Sequence, residues 1–154
     1  MGKERVSPIL VGVAGEYFVA AELSSLGYIA SITLRNTKGI DIIATNEKGT
    51  KTVNIQVKTK RAGKREWIMS EKAESVRDKK LFYVFVSLNE GKTRPDYFIC
   101  PCSHAARFVR KNHEKWLNTP GKRGQKHNPS RMRQWRDEKN KYLERWELLG
   151  LDGN

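Results

Sequence analysis

The sequence predicts an α/β protein, a mixed central β-sheet flanked by helices. Three observations lead there. Thr52 to Lys60 alternates, with Val53, Ile55 and Val57 on one face and Asn54, Gln56 and Lys58 on the other, which is the period of a half-buried strand. Leu81 to Leu88 is an almost continuous apolar run, as expected of a strand covered on both faces. Ile9, Val13, Phe18, Ala21, Leu23 and Leu26 recur at roughly helical spacing. Such a mixture of strand and helix periods places helices against a sheet.

The elements follow in order. Ser7-Pro8 is a helix start, since proline suits the first turn, and Gly27 is a fitting C-terminal stop. Tyr28 to Leu34 is rich in β-branched and aromatic residues and predicts a first strand. Arg35-Asn36-Thr37-Lys38-Gly39 has turn chemistry. Ile40 to Thr45 predicts the second strand, and Asn46 to Gly49 a hairpin turn into the third. Trp67 to Met69 adds a short extended piece after a basic loop. Ser70 is placed to cap a short helix ending at Lys79-Lys80. Leu81 to Leu88 and Tyr97 to Cys102 are the next strands, separated by a turn at Glu90-Gly91-Lys92. Ser103 is placed to cap a helix reaching about Trp116. Asn118 to Ser130 predicts a mobile basic loop, and Arg131 to Leu149 a last helix docked by Trp135, Leu143 and Trp146.

With 154 residues, the chain fits one domain. Within residues 1–154 we distinguish a core, 7–102, and a basic helical and loop extension, 103–154. Formal net charge is +13, which favours polyanionic partners such as nucleic acid. The charge is clustered. From Arg107 to Arg145 there are thirteen Lys/Arg against four acids, so nine of the net positive charges lie there. Met1 to Leu10 carries charges and a proline rather than the apolar run of a signal peptide. No stretch is long and apolar enough for a bilayer span. Cys100 and Cys102 are too close on one strand to staple distant elements, which fits a reducing, cytoplasmic setting. With His104 they offer at most three cramped zinc ligands, and small core residues explain them better.

Asp41 is the residue that calls for chemistry. It interrupts an apolar strand, where a lone carboxylate is costly without a charged partner or a metal. Pairing around the hairpin brings it near Gln56 and Lys58, two residues apart on one face. A hard divalent cation takes oxygen ligands from one or two side chains, a backbone carbonyl and water, and phosphodiester hydrolysis uses such an ion. Asp41 is then the principal ligand, with the Gln56 amide oxygen and the Val57 carbonyl as secondary ligands. Lys58 is the cation that stabilises charge developing on the phosphate. A plain buried ion pair of Asp41 with Lys58 is the competing explanation.

Gly15-Glu16-Tyr17-Phe18-Val19-Ala20, Leu26-Gly27-Tyr28, Gly39-Ile40-Asp41-Ile42-Ile43 and Ile55-Gln56-Val57-Lys58-Thr59 together resemble the PD-(D/E)XK nuclease superfamily, the restriction-endonuclease-like fold. The likeness is to its Holliday-junction-resolvase-like and restriction-related branches. It spans about Ile9 to Lys60 by motif, and no motif is matched beyond Cys102. One position departs from the pattern: Gln56 stands where the second half-motif carries Glu or Asp, and a neutral amide binds metal less well. The resemblance implies a restriction-endonuclease-like core and a Mg²⁺- or Mn²⁺-dependent endonuclease acting on DNA, with Asp41, Gln56, Lys58 and the helix glutamate Glu16 as site residues. Glu22 is the other acid on that helix, better explained as a surface residue. Lys60, Arg61, Lys64 and Arg65, with Lys122, Arg123 and Lys126, are the expected nucleic-acid contacts. Other outcomes are a nucleic-acid-binding module of the same fold without the chemistry, with RNA also open as a ligand, and a protein-interaction subunit. A homodimer is compatible with each.

Overall fold

The computed structural model describes residues 5–34 and 38–152. Helix α1 (Pro8–Ser25) starts as its sequence dictates: the Ser7 hydroxyl accepts from the Leu10 N–H at 3.2 Å, and proline occupies the first turn. Leu26 closes the helix, and Gly27 turns the chain away with φ +88°. The buried stripe is Gly15, Val19 and Leu23. Ile9, Phe18 and Leu26 share the helical spacing but stay exposed.

Strands β1 (Ile29–Ile32), β2 (Ile42–Thr45) and β3 (Thr52–Lys60) form an antiparallel meander. Of the expected turn between the first two, Arg35 to Thr37 lies outside the described residues. The Asn46 to Gly49 hairpin is present. The Asn46 side-chain oxygen accepts from the Thr50 and Lys51 N–H groups, each at 2.9 Å.

After β3 the chain leaves the sheet as β4 (Glu66–Ser70) and a short 3₁₀ turn, Glu71–Ser75. It returns as β5 (Leu81–Ser87), parallel to β3, and then β6 (Asp96–Pro101), antiparallel to β5. The five-stranded order is β1-β2-β3-β5-β6. Helix α2 (Cys102–Asn118) follows, and β7 (Met132–Arg136) pairs with β4 in a separate two-stranded ribbon. Strand β5 is buried on both faces, as its apolar run requires.

Three expectations fail locally. The helix expected from Ser70 to Lys80 is only the 3₁₀ turn, and Ser70 makes no side-chain cap. Ser103 lies inside α2, which Pro101 precedes without a cap bond. Arg131 to Leu149 is not a helix. It supplies β7, an isolated bridge from Leu143 to Phe98, and a 3₁₀ turn at Trp146–Leu149. The basic extension is therefore not helical beyond α2. Its docking residues still dock: Trp135 and Trp146 are buried, and Leu143 packs with the Trp135 cluster.

Alternation along β3 and β5 divides the core in two. On one face, Val53, Ile55, Phe82, Val84 and Val86 meet Val19 and Leu23 of α1 and Trp146 and Leu149 of the C-terminal turn. On the other, Tyr83 and Phe85 meet Trp67 and Trp135 of the ribbon and Ala105 and Val109 of α2.

Candidate active site

Asp41 stands just before β2. Its N–H donates to the Ile55 carbonyl at 2.8 Å, where the regular β2–β3 pairing stops. Ile42 is already registered with Ile55, so Asp41 is an extra residue opposite Ile55, and its side chain turns to the α1 face. Its carboxylate Oδ2 accepts from the Val57 N–H at 2.7 Å. That bond uses a backbone group that β2 has ceased to pair, and it fixes the carboxylate along the strand edge. The two backbone groups of an antiparallel residue point to the same neighbour, so the Val57 carbonyl faces that edge too.

Burial pushes the Asp41 carboxyl above the ordinary value, while the Val57 N–H and the charge of Lys58 pull it back down. Lys58 acts through space. Among the described residues it forms no direct ion pair with Asp41. The plain ion pair is thus not the arrangement here.

Glu16 reaches the same place from α1. It follows Gly15, which lies directly on β3: a Cβ there would overlap the Thr59 side chain. Glycine lets the helix approach this closely, and that approach brings Glu16 and Asp41 to the wall of one cavity of about 240 Å³ with Gly12, Val13 and Thr33. Thr33 closes the loop behind Asp41, its hydroxyl donating to the Ile40 carbonyl at 2.6 Å. No sequence signal marked Thr33, because its place beside Asp41 comes from its hydrogen bonds to the Ile40 and Asp41 carbonyls, seven and eight residues on.

Gln56 and Lys58 lie on the other face of β3. They pair with Tyr83 and Phe85, which belong to the aromatic side of the sheet. Both are partly exposed. Asp41 therefore stands between Glu16 on the α1 side and Gln56 and Lys58 on the far side. Glu22 is not part of this group; its carboxylate pairs with Arg94 at 2.8 Å.

The expected basic contacts divide. Lys64, Lys122, Arg123 and Lys126 are exposed, and Arg61 is half-buried. Lys60 lies 5.5 Å over the Trp67 ring and donates to the Glu66 carbonyl at 3.3 Å. Arg65 bridges Asp96 at 3.0 Å and Asn140 at 3.1 Å, so it ties the loop to the fold. Cys100 and Cys102 are free and buried, and the Cys102 thiol donates to the Asp78 carbonyl at 2.9 Å. The His104 ring contacts the Tyr142 hydroxyl at 3.1 Å.

Among the described residues, no three His, Cys, Asp or Glu side chains cluster as a metal site. The oxygen donors around Asp41 are nonetheless of the right kind for a hard cation: the Asp41 and Glu16 carboxylates and the Val57 carbonyl, whereas the Gln56 amide lies on the other face of β3. Mg²⁺ normally takes one or two carboxylates and completes its shell with water, so the set fits.

The fold has a solved counterpart. A bacterial homing endonuclease, I-Ssp6803I, matches with a TM-score of 0.52 at 15% identity, over 93% of this chain and 91% of that one. At this identity the likeness is one of fold, the mixed α/β restriction-endonuclease-like arrangement. No family model matches the sequence, and no curated protein does. No helix among the described residues is long and apolar enough to cross a membrane.

Proposed function

We propose that this chain is a metal-dependent nuclease hydrolysing DNA phosphodiester bonds, with Asp41 at the centre of its site. The supporting observation is the state of Asp41. Its carboxylate is partly desolvated, oriented by the Val57 N–H, and among the described residues without a direct cation partner. A site that keeps a carboxylate oriented and unpaired is suited to a cation from solution.

Asp41, Glu16 and the Val57 carbonyl would hold Mg²⁺ or Mn²⁺, with Gln56 beside Val57 on the other face of β3. When bound, the ion polarises the phosphate and makes water more acidic. Lys58 supplies positive charge for the phosphate oxygens as negative charge develops on them. The Val57 N–H holds the Asp41 carboxylate in place before substrate arrives, so little reorganisation is needed. Lys60, Arg61 and Lys64, with Lys122, Arg123 and Lys126, would neutralise backbone phosphates, which position DNA without reading its sequence.

The test is cleavage of plasmid, single-stranded and junction DNA with Mg²⁺ or Mn²⁺. Wild type should cut and Asp41→Ala should not; equal behaviour on every substrate would sink the reading.

Gln56 favours a second reading, a binding module with the fold and without the chemistry. That module binds DNA with a steep salt dependence, since phosphate contacts release counterions, and does not cut with any metal. Gln56→Glu separates the two. A gain of cutting or of calorimetric Mn²⁺ affinity marks an attenuated site, and no gain of either marks a lost one.

A further inference from the structure

A second concave feature lies on the opposite face of the molecule. Between the outer side of the β4–β7 ribbon and the C-terminal half of α2 is a cleft of about 380 Å³. That falls within the size range of small-ligand pockets, about 300–1,000 Å³. Its walls include Ile68 on β4, Met132 on β7 and Trp116 on α2. These are large apolar side chains left 65%, 57% and 40% exposed. Strand alternation explains two of them, because Trp67, Met69, Arg133 and Trp135 turn inward and leave Ile68 and Met132 outside. Such concave apolar exposure marks a binding surface more often than a bare surface.

The chemistry of the rim selects the occupant. No acidic residue lines the cleft, whereas Lys115 and Arg136 do. Arg136 is paired with Glu138, an exposed contact that is weak and readily exchanged. The loop between α2 and β7 adds the exposed Lys122, Arg123 and Lys126. The ring of Trp116 already stacks on planar groups, His127 of that loop with centroids 4.1 Å apart and planes 22° apart and His113 of α2 at 5.5 Å and 24°, so a planar occupant takes the face that the loop's His127 now covers. An occupant that is planar and apolar in the cleft and anionic at its rim is a nucleotide.

We infer that this cleft binds an unpaired nucleobase, held against Trp116, Ile68 and Met132, with its flanking phosphates on Lys115, Arg136 and the loop cations. The inference rests on the reading of the protein as a nucleic-acid-acting one, but not on cutting. It makes single-stranded or distorted DNA the preferred ligand, because a fully paired base has no free face to stack.

The protein provides its own probe. Trp67, Trp135 and Trp146 are 3%, 0% and 7% exposed, so quenching of tryptophan fluorescence by added DNA reports on Trp116. The experiment titrates the full chain, in chelator and at fixed low salt, with a short labelled single strand and with its blunt duplex. The single strand should quench the emission and the duplex should not. By anisotropy, Trp116→Ala should weaken single-strand binding about tenfold and leave duplex binding unchanged. Trp116→Phe keeps a stacking ring and should restore most of the affinity, which guards against a variant that merely misfolds. Equal single-strand affinity of wild type and Trp116→Ala, or binding without quenching, overturns the inference. If cutting depends on Asp41 while Trp116→Ala binds normally, only this inference fails. If no DNA binds at all, it falls together with the proposed function. Protection of Trp116 by an acidic, aromatic-rich peptide and not by DNA would make the occupant a protein and overturn it as well.

Discussion

The two faces of the sheet are built from different materials. The α1 face is mainly aliphatic, with Val19, Leu23, Ile42, Ile55, Val84 and Val86 at its centre. It is drawn both from the consecutive segments α1 to β3 and from β5, β6 and the C-terminal turn. The other face is aromatic. Trp135 stacks on Phe85 with centroids 3.8 Å apart and planes 4° apart, and the Trp67 indole N–H donates to the Val86 carbonyl at 3.1 Å. Its polar groups are well matched. Arg133 is buried and paired with Glu74, and Asp137 accepts from the Lys141 and Tyr142 N–H groups at 2.9 and 2.6 Å. On the α1 side, Asp41 keeps a raised pKa, and the Thr59 hydroxyl is a buried side-chain group with no hydrogen-bond partner among the described residues. The difference teaches where the fold is spent on stability and where on chemistry. Unmatched groups cost free energy, and among the described residues the buried side-chain group without a hydrogen-bond partner, the Thr59 hydroxyl, lies on the α1 side, next to Gly15.

Trp135→Ala gives this comparison its largest test. The side chain is fully buried and contacts Trp67, Phe85, Phe98 and Phe108. Removing it should cost about 3–5 kcal/mol in urea unfolding. A cost under about 1 kcal/mol would show that the ribbon is an appendage rather than half of the core.

The same contrast explains what the sequence could reveal. Helix α1, the meander and β5 were legible because each carries a local signal: the Ser7-Pro8 start, the Asn46 to Gly49 turn, the alternation of β3, the apolar run of β5. That hairpin brings Asp41 to β3, but opposite Ile55 rather than Gln56. Strand β7 was not legible. Met132 to Arg136 is MRQWR, in which the inward positions are Arg133 and Trp135, so its period of two is hidden by a buried cation. Its partner β4 lies more than sixty residues earlier, and no local pattern announces a pairing at that distance. Helical propensity in Arg131 to Leu149 therefore lost to tertiary pairing. The split of Glu16 and Gln56 between two faces of β3 was hidden too, since it depends on how α1 crosses the sheet.

Gly15 and Gly12 provide the second test, from within one helix. A Cβ at Gly15 would overlap Thr59, whereas nothing lies within 4 Å of one at Gly12. Gly15→Ala should cost about 1–3 kcal/mol by overpacking. It should also reduce cutting more than that loss explains, because α1 must move and carry Glu16 with it. Gly12→Ala should instead stabilise by about 0.5–1 kcal/mol through helix propensity. If both variants stabilise, α1 does not rest on β3 as closely as the Thr59 contact requires.

The smallest expected effect is the most diagnostic for Asp41. Its pKa is raised in the folded state, so folding favours the neutral acid. That contribution is complete below the ordinary carboxyl value and is lost as pH rises through the raised one. Asp41→Asn stays neutral at every pH and retains an oxygen for the Val57 N–H. Its Tm at neutral pH should therefore equal or exceed that of wild type, and the gap should close as pH falls toward the ordinary carboxyl value. Mn²⁺ should reverse the order, raising the Tm of wild type by binding only the folded state and leaving the variant unmoved. A variant less stable than wild type at neutral pH without metal would mean that the carboxylate is a stabilising partner of Lys58 after all. The unmatched groups on the α1 face would then have a structural cause, and the contrast between the two faces would lose its chemical meaning.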